Sequence, residues 1–225
     1  MRPGLLTFDC YGTLIDWNRG IAGAVRDACP EARSIPDDAL LDSFYTIQDD
    51  LKTSEYRPYR QLLTEVTLEL AGRGGWEVTE KRAGGVPASI PEWRPFEDTN
   101  ASLVRLARAG FRLGILSNID DDLLAGTLRH FDVDFDLLVT AQSLRSYKPA
   151  SAHFDRALEE VGGDKRGMLH LAQSLFHDVR PAGQLGIDVV WVNRGGEATP
   201  EDVAPAAVTP DLASAVDWLL ERCGL

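Results

Sequence analysis

The chain has 225 residues, of which 44% are hydrophobic, so it can bury a sizeable core in one or two domains. Its formal net charge is −12 and its sequence pI is about 4.7. This acidic balance disfavours nucleic acid as a partner, because phosphate binding needs Lys and Arg. It still allows a small anionic substrate, since a pocket can carry a local positive charge.

Cysteine usage and hydropathy predict the compartment. The cysteines Cys10, Cys29 and Cys223 are widely spaced and odd in number, which indicates reduced thiols in the cytoplasm rather than a disulfide framework. The N-terminal apolar run is too short for a signal peptide. No stretch reaches the ~18 apolar residues of a membrane span, so no membrane partner is expected.

The spacing of apolar residues changes once within the first hundred residues. Residues 4–8 predict a buried strand, and apolar residues recur at helical spacing from about 17 to 84 without a convincing strand. The Gly- and Pro-containing stretch 83–95 predicts a linker that returns to the strand-forming part.

Strands and helices alternate from residue 99 onward. Strands are predicted at 111–116, 135–140, 168–172 and 187–192, and helices at 101–109, 120–130, 150–161, 181–185 and 211–222, with a loop over 195–210. Such alternation predicts an α/β fold with a parallel sheet and helices on both faces. We expect one core domain from 1–15 plus 96–225 and an inserted helical domain over 16–95.

Polar residues follow four of the predicted strands. Asp9 follows the first, Ser117 the second, Lys148 the third, and the stretch 173–178 the fourth. In parallel α/β sheets the ligand lies at the carboxyl ends of the strands, so these residues should share one site.

Asp9 is the central candidate. A carboxylate that ends a buried strand before a glycine turn is placed like a nucleophile, although Asp also commonly caps a turn. The hydroxyl of Thr13 can hold one oxygen of Asp9. Tyr11 stands where a second carboxylate would indicate phosphate-ester chemistry.

The other candidates would support Asp9. Ser117 and Asn118 can bind a carboxylate or phosphate oxygen, or cap the next helix. Lys148 can neutralise and orient Asp9, although a loop lysine is more often solvated. Asp178 can pair with Lys148 or orient a water molecule, and it is better placed than His177 as a base.

In order and approximate spacing, these stretches resemble the four motifs of the haloacid dehalogenase superfamily. The string Asp9-Cys10-Tyr11-Gly12-Thr13-Leu14 resembles its L-2-haloacid dehalogenase (type II) branch, where Tyr stands two places after the nucleophile. The resemblance implies a Rossmann-like core with an inserted helical cap. It also implies a hydrolase that displaces halide from C2 of a 2-haloalkanoic acid through a covalent aspartyl ester and gives a 2-hydroxy acid.

The resemblance assigns roles by position. Asp9 would be the nucleophile, with Thr13 and Lys148 holding it, Ser117 and the amide of Asn118 would bind the substrate carboxylate, and Asp178 would direct water to the ester. Contacts to a small anionic substrate are expected from Cys10, Tyr11, Trp17 and Ser174. Homodimers are common in this branch.

A metal is expected only under an alternative function. Related phosphatases bind Mg²⁺ through acidic residues of the last motif, but Gln173 occupies the first of those places, which favours chemistry without a cofactor. The alternatives are a Mg²⁺-dependent phosphatase that uses Asp9 and Asp178, and a non-catalytic binding protein of the same fold.

The chain also departs from the resembling branch. The branch has a cap arginine where this chain has about Tyr45, and Arg57 and Arg60 are the nearest substitutes. Leu175 and Phe154 replace an Asn and a Tyr of the branch.

Overall fold

The computed structural model describes residues 2–51 and 55–225. The chain forms two compact units. The first comprises Met1–Ile15, Pro95–Asn118 and His130–Leu225, and the second comprises Asp16–Arg94 and Ile119–Arg129. In the described part of the chain, no helix is both long enough and apolar enough to cross a membrane.

The first unit contains a six-stranded parallel sheet in the order β3-β2-β1-β4-β5-β6. The strands are β1 (Leu5–Phe8), β2 (Arg112–Ser117), β3 (Leu137–Thr140), β4 (Met168–Ala172), β5 (Asp188–Val192) and β6 (Ala207–Thr209). The predicted α/β class is confirmed. The prediction of a loop over 195–210 is wrong at β6, because three residues carry too little alternation to indicate a strand.

Eleven α-helices accompany the sheet in the described residues. Those of the second unit are α1 (Trp17–Ala28), α2 (Asp37–Leu51), α3 (Tyr59–Gly74), α4 (Glu80–Ala83), α5 (Gly85–Ala88) and α7 (Asp121–Thr127). Those of the first are α6 (Thr99–Arg108), α8 (Ala141–Leu144), α9 (Ala152–Glu159), α10 (Arg180–Gln184) and α11 (Leu212–Cys223). The stretch predicted as a linker over 83–95 is therefore partly helical, and a π-helical turn (Leu175–Val179) precedes α10.

The predicted domain boundaries place residues 119–129 in the core domain, but in the structure they belong to the second unit. Both carboxylate oxygens of Asp120 accept backbone N–H groups at the start of α3, from Tyr59 and Arg60, each at 2.8 Å. Gly126 lies so close to Pro91 that an added Cβ would come within 2.7 Å of its ring. These contacts tie α7 to the helical unit.

The core of the first unit lies against the central strands. Every residue of β1 is buried, and an apolar cluster covers one face of the sheet through Leu5, Leu116, Phe154, Met168, Val189 and Trp191. A strand buried on both faces needs apolar side chains along its length, which explains the run Leu5-Leu6-Thr7-Phe8. The rigid sheet fixes the positions of the residues that follow its strands.

Candidate active site

The sheet brings four predicted residues together at the carboxyl ends of its central strands. Asp9 follows β1, Ser117 ends β2, Lys148 lies in the loop after α8, and Asp178 lies in the π-helical turn after β4. All four are buried and belong to the first unit.

The ammonium group of Lys148 joins the two carboxylates. It donates to Asp9 Oδ1 at 2.9 Å, to Asp178 Oδ1 at 2.6 Å and to the carbonyl oxygen of Leu116 at 2.8 Å. These three acceptors use all three of its hydrogens. With 2% of its surface exposed, Lys148 is a buried structural cation and not a solvated loop lysine.

The other oxygen of Asp9 is held by the turn that follows β1. The Thr13 hydroxyl donates to Asp9 Oδ2 at 3.0 Å and accepts from the backbone N–H of Gln173 at 2.9 Å. Gly12 adopts φ +98°, which an L side chain rarely adopts, and so lets the turn bend back to Asp9. Both oxygens of Asp9 are therefore fixed.

The two oxygens of Asp178 have different surroundings. Oδ1 accepts from Lys148 and, at 3.0 Å, from Nε2 of His170. Oδ2 is buried and has no hydrogen-bond partner among the described residues. This leaves one oxygen of Asp178 as an uncommitted acceptor.

Burial and charge separate the two carboxylates. Burial is the largest influence on Asp9 and raises its pKa, with repulsion from Asp178 added, although Lys148 opposes both. Burial also favours protonation of Asp178, but the charge of Lys148 and the hydrogen bond from His170 outweigh it and hold the pKa of Asp178 well below its usual range. Burial opposes the charge of Lys148, yet the paired carboxylates raise its pKa overall.

Asn118 and Ser117 are fixed by the loops around them. The Asn118 side chain donates to the carbonyl of Lys148 at 3.0 Å and accepts from its N–H at 2.7 Å, so it holds the lysine loop. The carbonyl of Ser117 lies 3.2 Å from Nε2 of buried His153, and burial lowers the pKa of His153 to about 4. A neutral His153 donates to that carbonyl.

Three predicted substrate contacts lie in the first unit. Cys10 is completely buried, and burial raises the pKa of its thiol well above the usual range. Tyr11 is half-buried, and its backbone forms an isolated parallel β-bridge with Ile15. The Ser174 hydroxyl accepts from the His177 N–H at 3.1 Å and caps the π-helical turn. Their contacts here are structural, and their substrate roles stay predictions.

The remaining predicted contact, Trp17, lies in the helical unit. Its ring packs edge-on against Trp93 at 5.0 Å and is tilted against Tyr59 at 6.1 Å. These are packing contacts within that unit.

The two arginines considered as substitutes for the branch's cap arginine both pair with carboxylates. Arg57 binds Glu65, and Arg60 binds Asp122 at 2.5 Å. The Tyr45 hydroxyl donates to Asn18, and burial raises the pKa of Tyr45 to about 12. None of these contacts supports a halide-binding role for either arginine.

Two residues near the site were not singled out from the sequence. His170 lies within β4 and reaches Asp178, and Arg194 follows β5 and binds the carbonyl of Thr13 at 2.9 Å. A polar residue within an apolar strand was the only sequence signal for His170. Arg194 lies in a stretch without a motif. Over residues 2–51 and 55–225, no group of three or more His, Cys, Asp or Glu side chains is arranged to hold a metal ion.

Comparison with known proteins identifies the family. A model of the haloacid dehalogenase-like hydrolases matches residues 4–171. The chain belongs to the haloacid dehalogenase-like hydrolases. Over 226 aligned residues it is 27% identical to an (S)-2-haloacid dehalogenase of Pseudomonas fluorescens, with 95% of each chain covered. The expected resemblance to this branch is therefore confirmed.

Solved structures of this family share the fold. An L-2-haloacid dehalogenase superposes with a TM-score of 0.85 at 22% identity, covering 97% of this chain and 99% of the other. The L-2-haloacid dehalogenase of Xanthobacter autotrophicus with chloropropionic acid covalently bound gives a TM-score of 0.79 at 21% identity, covering 98% of each chain. At these identities the likeness supports the fold alone.

Proposed function

We propose that this hydrolase converts an (S)-2-haloalkanoic acid into a 2-hydroxy acid, with Asp9 as a covalent nucleophile. The observation that carries the proposal is the arrangement of Asp9, whose two oxygens are fixed by Lys148 and Thr13, while the same ammonium group also binds Oδ1 of Asp178. The similarity to an (S)-2-haloacid dehalogenase along nearly the whole chain supports the same substrate class.

The reaction has two steps. In the first, an oxygen of Asp9 bonds to C2 of the substrate, and the carbon–halogen bond breaks with inversion as halide leaves with the electron pair. In the second, water attacks the acyl carbon of the ester and gives a proton to Asp178 Oδ2. The tetrahedral intermediate then collapses, and the alkoxide leaves and takes the proton back from Asp178 to give the 2-hydroxy acid. Asp9 releases its remaining proton to solvent, which regenerates its carboxylate. Splitting one difficult displacement into two steps is the usual gain from a covalent nucleophile.

Lys148 keeps Asp9 ready for the first step. The raised pKa of Asp9 makes its carboxylate more basic, while the adjacent ammonium keeps the ionised form populated. In this proposal the substrate carboxylate binds at the end of β2, to Ser117 and the backbone N–H of Asn118. These donors would bind the substrate anion locally, although the net charge of the chain is negative.

We propose attack at carbon without a metal ion. Tyr11 and Gln173 stand where a phosphatase of the family would carry acidic side chains, and the Lys148 ammonium already lies between the Asp9 and Asp178 carboxylates. A hard cation such as Mg²⁺ is bound through several negatively charged oxygens. Among the described residues here, only the carboxylates of Asp9 and Asp178 provide them, and Lys148 already binds both.

The uncommitted Oδ2 of Asp178 is the one observation that favours the alternative, a Mg²⁺-dependent phosphatase. In that case Asp9 and Asp178 would hold the ion, and it would neutralise phosphate charge.

A substrate panel separates the two functions. Halide release from (S)- and (R)-2-chloropropionate and phosphate release from small phosphate esters are measured with added Mg²⁺ and with EDTA, for the parent enzyme and for Asp9→Asn. We expect halide release from the (S) acid, unchanged by EDTA and abolished in Asp9→Asn. Hydrolysis of phosphate esters that EDTA abolishes, without halide release, would contradict the proposal.

A further inference from the structure

A histidine interrupts the apolar layer on one face of the sheet. His170 lies in the middle of β4 with no exposed surface, and its register partner on β1 is Thr7. The ring of Phe154 packs edge-on against the imidazole at a centroid distance of 5.3 Å. An imidazole buried in such surroundings costs free energy unless its ring nitrogens are hydrogen-bonded.

Both ring nitrogens of His170 have partners. Nδ1 lies 2.9 Å from Oγ1 of Thr7, and Nε2 lies 3.0 Å from Oδ1 of Asp178. An ionised carboxylate only accepts hydrogen bonds, so Nε2 carries the hydrogen and donates. Thr7 anchors the opposite side of the ring, and β1 and β4 together fix the direction in which Nε2 points.

This anchoring determines which oxygen of Asp178 is available. Oδ1 receives two donors, Nζ of Lys148 at 2.6 Å and Nε2 of His170. Rotation of the carboxylate would break both bonds at once. Oδ2 is therefore held as the single uncommitted oxygen of the group.

We propose that His170 is a positioning residue for hydrolysis of the aspartyl ester. It keeps Asp178 oriented so that Oδ2 receives the attacking water, and it has no part in forming the ester. Asp9 is held by Lys148 and Thr13 and makes no hydrogen bond to His170 in the described contacts. This inference rests on the proposed function, because it assigns His170 to the second of the two proposed steps.

Single-turnover kinetics of His170 variants test the assignment. His170→Leu removes the donor, and His170→Gln retains an N–H at a similar reach. The double variant Thr7→Val, His170→Leu removes both polar groups of this pair and so leaves no buried hydroxyl unpaired. It replaces the single variant if His170→Leu alone folds poorly. His130→Gln is the matched control, since His130 lies in a turn outside this network.

We expect His170→Leu to release halide from (S)-2-chloropropionate at the parent rate and to accumulate the Asp9 ester, detected by intact-protein mass spectrometry. Ester hydrolysis should slow about 10–100-fold, the usual effect of losing an orienting partner. His170→Gln should recover part of the loss, and His130→Gln should match the parent. Equal slowing of halide release and ester hydrolysis, or no change in either, would overturn the proposal.

Nitrogen NMR of the four histidines separates this inference from the proposed function, since it needs no substrate. The signals lost in His170→Gln identify the residue, and we expect a protonated Nε2 whose shift changes in Asp178→Asn. An unprotonated Nε2 would overturn the positioning role even if the enzyme dehalogenates. If the parent forms no ester with any haloacid, the proposed function fails, and the assignment of His170 to ester hydrolysis fails with it. The NMR result still shows whether Nε2 of His170 donates to Asp178.

Discussion

Asp9 and Asp178 share one lysine, and burial favours the protonated form of both, but their pKa values shift in opposite directions. Burial and repulsion from Asp178 raise the pKa of Asp9, so the folded protein favours its protonated form more than water does. The pKa of Asp178 is held low because Lys148 and His170 stabilise its ionised form. Ionisation of Asp9 is thus kept at some cost in stability, while ionisation of Asp178 contributes to stability.

This difference predicts opposite effects of two isosteric substitutions at pH 7. Asp9 has a raised pKa, so its ionised form opposes folding above that pKa, and Asp9→Asn should leave the free energy of unfolding unchanged or higher. Asp178 has a lowered pKa, so it stabilises the fold above its ordinary pKa and loses that contribution as the pH falls. Asp178→Asn should cost roughly 3–5 kcal/mol, as breaking a buried ion pair does. Urea denaturation measures both, and a larger loss in Asp9→Asn than in Asp178→Asn would contradict this account.

The sequence could predict much of the site at the scale of residues. Asp9, Thr13, Lys148 and Asp178 follow or precede recognisable strands, and the ends of parallel strands meet at one edge of a sheet. His170 could not be found this way, because its partner Thr7 is 163 residues away and only the register of β1 with β4 makes them neighbours. The lone histidine in an apolar run carries no sign of which carboxylate it binds.

At the scale of elements, Arg194 clamps the turn that carries Thr13. Its guanidinium donates to the Thr13 carbonyl at 2.9 Å and to Asp98 at 3.0 Å, and it lies 3.9 Å above the ring of Phe96. Asp98 also accepts from the N–H of Leu212 at the start of α11. One arginine therefore ties the segment after β5, the start of α6 and the start of α11 to the turn that carries Thr13.

Loss of this clamp should weaken both stability and activity. We expect Arg194→Met to lower the free energy of unfolding by about 1.5–3 kcal/mol, the usual worth of hydrogen bonds to a charged group, and to lower kcat because Thr13 is less well held. Arg194→Lys should recover only part, since lysine lacks the planar fork.

Arg105→Met is the matched control for the clamp. It removes an exposed pair with Asp217 and should change stability by about 0–1 kcal/mol. Equal effects of Arg194→Met and Arg105→Met in urea denaturation would refute the clamp.

Elements with a sustained period were predictable, and short ones were not. The strand Met168–Ala172 has the predicted bounds, because five buried residues stand between polar segments. The π-helical turn Leu175–Val179, which contains Asp178, has no sequence period of its own. The helix predicted from residue 101 begins at Thr99, because Asp98 precedes it and the Asp98 carboxylate binds Arg194 and the N–H of Leu212.

At the scale of the whole molecule, two compact units are formed from a chain that leaves the sheet after β1 and returns before α6. Strand and helix periods indicated this excursion, but not the return of residues 119–129 to the helical unit. That placement depends on the Asp120 bonds to α3 and on the close approach of Gly126 to Pro91, which are long-range contacts. Such contacts have no local signal in the sequence.

A buried histidine should make the stability of the whole fold depend on pH. Burial lowers the pKa of His153 from 6.5 to about 4, so between those values the unfolded chain binds more protons than the folded one. The free energy of unfolding should therefore fall as the pH falls through this window. His153→Gln keeps a donor for the Ser117 carbonyl without titrating, so the parent should lose stability relative to this variant from pH 6.5 to 4. A difference that is constant with pH would contradict the prediction.

A single turnover in heavy-oxygen water tests the central claim, covalent attack by Asp9, most directly. Enzyme in excess is mixed with (S)-2-chloropropionate in H₂¹⁸O, and the Asp9 peptide and the product are weighed by mass spectrometry. We expect the label in the Asp9 carboxylate and none in the new hydroxyl, because water attacks the acyl carbon and the product takes its oxygen from Asp9. Label in the hydroxyl of the product and none in Asp9 would show direct attack of water on the substrate and would contradict the account.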